Sequence, residues 1–191
     1  TVVPSVLHER FGDRGVLEAQ YASMRGWVDL VLSQAGDSGL WAGRMQLGDW
    51  LDPAAPPDKP AQAKVDGDIV ASAYLARSLQ LVADAASLLG FELDAATYAS
   101  LAERGRAAFV AEYVTPAGRM MSDAPTAYAL ALEFDLVRDP ARRNALAERL
   151  AAVVREGGYR IATGFDDISR ANELIRATKG RRLTYRRTDQ A

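Results

Sequence analysis

At 191 residues and 20.6 kDa, with 49% hydrophobic and 25% charged residues, the chain has the size and make-up of one globular domain with a sizeable core. Its net charge of -2 and pI of about 5.5 argue against a nucleic-acid surface. The lack of cysteine rules out disulfides, thiolate nucleophiles and zinc–sulfur sites, and the single histidine, His8, rules out multi-histidine metal clusters and weakens any Ser-His-Asp arrangement. No metal or other cofactor is therefore expected. No apolar run approaches the roughly 20 residues that span a bilayer, and no signal-peptide pattern opens the chain. The sequence leans toward a cytoplasmic protein without a membrane partner.

Helical periodicity runs almost throughout. Pro4 suits a first helical position and Gly12 a C-terminal cap. Asp13 caps the next helix, on which Leu17, Tyr21, Met24, Val28 and Val31 form one apolar stripe. Gly36 ends it. A loop carrying Pro53, Pro56, Pro57 and Pro60 runs to about Val65. Asp66 or Asp68 caps a third helix that reaches Leu89, ahead of Gly90. Asp94 caps a fourth, striped by Tyr98, Leu101, Ala108 and Phe109. Ser122 and Asp123 introduce a fifth, with Pro125 in its first turn, and Pro140 opens a sixth that stops at Gly157-Gly158. A seventh spans about Ile168 to Lys179, before a polar tail. Arg119-Met120-Met121 and Tyr159-Arg160-Ile161 are too short to make a strand pair. The class is all-α.

Connections and helices both alternate in character. Short turns near Gly12, Gly90 and Asp139 separate longer connections at 35–65, 115–123 and 157–166, which hold most of the Trp, Gly and Asp outside the helices. In stacked αα-hairpins alternate connections emerge at one end, so the three rich loops are expected on one rim. The third and fifth helices are apolar or small nearly all round, whereas the second, fourth and sixth carry charged faces. That pattern predicts an inner and an outer ring of an α/α toroid. One hairpin repeat, Asp66 to Asp123, takes about 57 residues, so six need roughly 340 against 191 present. The chain holds about half of an (α/α)6 ring.

The chemistry-bearing stretch is Leu47-Gly48-Asp49-Trp50-Leu51-Asp52-Pro53. Carboxylates accept hydroxyl protons and an indole packs on sugar C–H faces, so these residues suit a polyol. By spacing alone, Asp49 and Trp50 read first as a loop anchor and second as a sugar site. Asp52 before Pro53 reads as turn chemistry. Trp41 is equally a sugar-site wall or a loop plug, Trp27 a core residue, and His8 a packing histidine. Asp166-Asp167 reads as a helix cap. The basic run Lys179 to Arg187 reads as a solvated tail rather than a phosphate grip.

Five ordered segments carry a family likeness: Val6-Leu7-His8-Glu9-Arg10-Phe11-Gly12-Asp13, Gln20-Tyr21-Ala22-Ser23-Met24-Arg25-Gly26-Trp27-Val28, Gly48-Asp49-Trp50-Leu51-Asp52-Pro53, Thr126-Ala127-Tyr128-Ala129-Leu130-Ala131-Leu132 and Tyr159-Arg160-Ile161-Ala162-Thr163-Gly164-Phe165. Together they resemble the catalytic domain of α-L-rhamnosidases of glycoside hydrolase family 78, over about residues 2–165. The resemblance implies an (α/α)6 hydrolase that removes terminal α-L-rhamnose with inversion. Inversion takes a carboxylic acid and a carboxylate base about 6.5–9.5 Å apart. The resemblance places both on glutamates in Trp-containing motifs outside the matched stretch, and neither motif occurs here, so no catalytic residue is expected in this chain. It carries over Asp49 and Trp50 as lining of the rhamnose pocket.

After Phe165 the family usually continues Gly-Thr-Pro, whereas Asp166-Asp167-Ile168-Ser169 stands here. The expected organisation is thus a partial toroid over 1–165 and a divergent helix with a basic tail over 166–191. The expected partner is a rhamnose-containing glycoside, with self-association through open inner-helix faces. The alternatives are a non-enzymatic helical-repeat binding module and another α/α-toroid glycosidase.

Overall fold

Local chemistry sets most of the helix boundaries. Across residues 1–50 and 52–159, which the computed structural model describes, six α-helices follow one another: α1 Val2–Phe11, α2 Arg14–Ala35, α3 Gly67–Leu89, α4 Glu92–Tyr113, α5 Pro125–Glu133 and α6 Pro140–Glu156. Among the described residues, strand-like pairing is limited to an isolated bridge, Val114 to Met120. The expected seventh helix, the Asp166-Asp167 pair and the basic tail lie outside the described residues.

Gly12 ends α1 at φ 66°, a left-handed conformation cheap only for glycine, and donates to the His8 carbonyl at 2.8 Å. The Asp13 carboxylate accepts the Val16 N–H at 3.2 Å, and Asp139 accepts that of Arg142 at 2.8 Å, with Pro140 in the first turn. Asp66 caps α3, its carboxylate taking the Asp68 N–H at 2.9 Å.

Two expected caps serve elsewhere. Helix α4 begins at Glu92, and Asp94 instead accepts the Tyr21 hydroxyl at 2.8 Å and Arg25 at 3.2 Å. Helix α5 has Ala124 at its N-cap and no side-chain cap. Ser122 donates to the Lys64 carbonyl at 3.1 Å, and Asp123 pairs with Arg149. Asp94 and Asp123 each gain a guanidinium partner there, Arg25 and Arg149, which a backbone N–H cap does not supply.

The described residues form two compact units, one of residues 1–44 and 71–109, the other of residues 45–70 and 110–159. In the first, α2 buries its predicted stripe of Leu17, Tyr21, Met24, Val28 and Val31 against Leu75, Leu79, Val82 and Ala86 of α3 and Tyr98 and Ala102 of α4. Each fully buried side chain of this kind contributes about 1.5–3 kcal/mol. Between Ala71 and Ala86 only Asp84 of α3 is exposed, as an inner helix requires. Trp27, expected in this core, is instead 47% exposed. Trp27 comes one residue before Val28 of the stripe, a rotation of about 100° around the helix, which turns its indole outward, edge-on to Trp41 with ring centroids 5.8 Å apart.

In the second unit α5 is buried from Thr126 to Leu132, and α6 packs on it through Leu146, Leu150 and Val154. None of the helices among the described residues is long and apolar enough to cross a membrane.

Candidate functional site

The loop from α2 to α3 makes its closest crossing at Gly48. That residue sits at φ 57°, and a Cβ there would lie 3.2 Å from Gly67 Cα, at the start of α3; a Cβ on Gly67 would meet Gln46 Cβ at 2.9 Å. Two facing glycines let the loop pass the first turn of α3 at backbone contact distance. This crossing delivers Asp49 and Trp50.

Asp49 is fully buried, 0% exposed. Its Oδ2 accepts the Thr126 hydroxyl at 2.6 Å, and Thr126, second residue of α5, is itself 1% exposed. An ionised carboxylate out of water needs such partners, and an O–H···O⁻ bond this short belongs to the strong class. The first turn of α5 adds the positive end of its helix dipole. Trp50, next along, is half-buried.

Asp52 is buried too, its Oδ1 accepting the Ala54 N–H at 2.8 Å and its Oδ2 the Lys64 N–H at 2.9 Å. Both oxygens thus clasp the two ends of the proline-rich segment, and Asp52 is turn chemistry, as its place before Pro53 suggests. The Ser122–Lys64 bond joins this loop to the 115–123 turn, so two of the rich loops expected on one rim do meet. The third, 157–166, is described only as far as Tyr159.

Beside that junction, Met120 N–H donates to the Tyr128 hydroxyl at 3.4 Å, and Tyr128 donates to Asp123 at 2.8 Å. Arg149 Nε closes on Asp123 at 2.9 Å, with a second contact from Nη2. The Arg149 guanidinium, helped by Tyr128, holds the Asp123 carboxyl down at about 2. Burial, and then the hydrogen bond to Asp123, pushes the Tyr128 phenol up.

The other singled-out residues belong to the first unit. The Trp41 backbone N–H donates to Ser72 Oγ at 3.2 Å, and its side chain lines a cavity of about 410 Å³ with Trp27, Tyr74 and Ser78. Among the described residues, His8 Nδ1 is buried and meets no hydrogen-bond partner. Thr126 and Arg149 are the site residues that sequence reasoning missed. A hydroxyl at the head of an otherwise apolar helix was the available signal, since a buried polar atom must find a partner. Among the described residues no group of three His, Asp or Glu side chains could hold a metal ion.

Comparison with known proteins agrees with this architecture. The family model for the bacterial alpha-L-rhamnosidase six-hairpin glycosidase domain matches residues 1–188, past Phe165 where the motif likeness stops. An alpha-L-rhamnosidase of Streptomyces avermitilis is 34% identical over 184 residues, 96% of this chain and 17% of that protein. The crystal structure of native α-L-rhamnosidase from Aspergillus terreus superposes with a TM-score of 0.86 at 32% identity, over 92% of this chain and 20% of the other. That of the Streptomyces avermitilis enzyme complexed with L-rhamnose gives 0.78 at 33% identity, over 92% of this chain and 16% of the other. The chain thus spans about a fifth or less of the length of these relatives. Ordered motifs, helix succession and backbone agree, and the chain belongs to the bacterial α-L-rhamnosidase six-hairpin glycosidase family as a segment of its all-helical α/α domain.

Proposed function

We propose that this chain supplies part of the L-rhamnose-binding wall of an inverting α-L-rhamnosidase-type hydrolase, with Asp49 and Trp50 at the sugar and the catalytic acid and base outside these 191 residues. The observation that carries the reading is the superposition on a relative solved with L-rhamnose, over 92% of the chain. Trp50, half-buried between the Gly48–Gly67 crossing and the Asp52 clasp, offers an indole face to sugar C–H groups. Asp49, next to it in sequence, is sealed from bulk water and held on Thr126, and so supports the segment that carries the indole. The ligand is a rhamnose-containing glycoside.

Titrating the chain with L-rhamnose while following tryptophan fluorescence tests this. A saturable change that disappears in Trp50→Ala is the expected result, and no response up to high millimolar sugar refutes the assignment.

One observation favours a second reading. Val3, Leu7 and Phe11, at i, i+4 and i+8 on α1, are all exposed, an apolar face suited to another helix. On that reading the chain self-associates or docks a helical partner, and sedimentation velocity showing a monomer at tens of micromolar counts against self-association.

A further inference from the structure

We propose that Thr126 is a positioning residue for the sugar-contacting loop: its hydroxyl, presented by α5, sets where Asp49 and Trp50 stand. The inference rests on reading that loop as a rhamnose contact. Three observations on the second unit carry it. The bond is short, 2.6 Å, and both residues are closed to water, at 0% and 1% exposure. The threonine rides on a helix buried from Thr126 to Leu132, so its oxygen is as fixed as the core itself. The loop is pinned at its base on either side of the pair, by the Gly48–Gly67 crossing and by the Asp52 clasp, and the Thr126 bond holds the segment between those pins against a rigid element.

The position of the hydroxyl supports a role outside its own helix. A threonine that serves helix α5 would stand at the N-cap, where Ala124 is found; Thr126 lies two residues inside, after Pro125. There its donor reaches the loop, 77 residues away in sequence. Remove that donor and Asp49 loses a strong partner in a place where water cannot replace it. The carboxylate then relaxes toward solvent, and the adjacent Trp50 backbone follows. A sugar site misplaced by about an ångström loses much of its affinity.

The test uses the full 191-residue chain with Thr126→Val, which keeps the shape and removes the donor, and Thr126→Ser, which keeps the donor and removes a methyl. Two quantities are measured: L-rhamnose affinity by calorimetry and hydrogen exchange of the Gly48, Asp49 and Trp50 amides. Thr126→Val should weaken rhamnose binding about tenfold or more and speed exchange at those amides, leaving the amides of α2 unchanged. Thr126→Ser should restore both to within about threefold of the unsubstituted chain. Unchanged affinity and exchange in Thr126→Val overturns the proposal, as does a serine variant as impaired as the valine, since that points to core filling. If the unsubstituted chain does not bind L-rhamnose, the sugar reading falls separately. The exchange measurement then decides the latch: faster exchange in the valine variant with rescue by serine supports it, and unchanged exchange removes it.

Discussion

Asp123 accepts from Tyr128 and Arg149, and the neighbouring guanidinium keeps its carboxyl at about 2 when folded, against about 3.9 in an unfolded chain. A depressed carboxylate contributes stability above its unfolded value and loses it as pH falls toward the folded one. The contribution is therefore complete above about pH 4 and lost between about pH 4 and 2. With the carboxylate 49% exposed, screening holds the gain to about 1 kcal/mol or less. Asp123→Asn should lower the unfolding temperature at neutral pH, and the gap to the unsubstituted chain should close as the pH drops through that window; a gap that stays constant to pH 2 contradicts the ion pair. Tyr21 and Tyr98 act differently. Burial first, then Asp94 and Asp29 as acceptors, push both phenols up, so each remains a donor through the ordinary pH range. Tyr98→Phe removes a 2.6 Å bond to Asp29 that ties α4 to α2 and should cost about 1–2 kcal/mol in urea unfolding.

Two glycines show how an element's surroundings set the cost of one methyl. Gly12 at the end of α1 and Gly118 in the turn before α5 both have positive φ, 66° and 73°. Around Gly12 a Cβ would meet nothing within 4 Å, whereas at Gly118 it would lie 2.8 Å from Ala145 Cβ and 2.9 Å from the Arg142 carbonyl of α6. Gly12→Ala should thus cost only the left-handed penalty, about 1–2 kcal/mol. Gly118→Ala adds overpacking against backbone and should reach about 2–4 kcal/mol. Denaturant midpoints of the two variants compare them directly, and equal losses would mean that the 115–120 turn does not press on α6. Helix α5 is buried from Thr126 to Leu132, and both of its hydroxyls have partners there, Thr126 on Asp49 and Tyr128 on Asp123.

On the proposed reading, binding and bond cleavage separate across the whole chain. Positioned acid and base groups each contribute on the order of 10²–10⁴ in rate, and Asp49 and Asp52, the carboxylates of the candidate site, are committed to Thr126 and to backbone donors. On the proposed reading, the chain should hydrolyse an aryl α-L-rhamnoside no faster than buffer, and Asp49→Asn should alter rhamnose affinity without altering that rate. Turnover like that of a full-length rhamnosidase, abolished by Asp49→Asn, would place catalysis on this loop.

What was readable beforehand had local causes. The Asp13 cap, the cap from Asp66 or Asp68, the Pro140 helix start, the glycine stop at Gly12 and the Leu17–Val31 stripe all act within a few residues or at the helical period, so the chain's own order specifies them. Ordered motifs such as Gly48-Asp49-Trp50 were enough to indicate the family, because a set of short matches in sequence is specific where each alone is weak. Only the folded chain turned Trp27 outward, took Asp94 and Asp123 from their helix starts and joined Asp49 to Thr126. Tyr21 reaches Asp94 across 73 residues and Asp49 meets Thr126 across 77. At such separations nothing in the local sequence distinguishes a capping carboxylate from one that meets a distant hydroxyl or guanidinium; only packing brings the partner within reach.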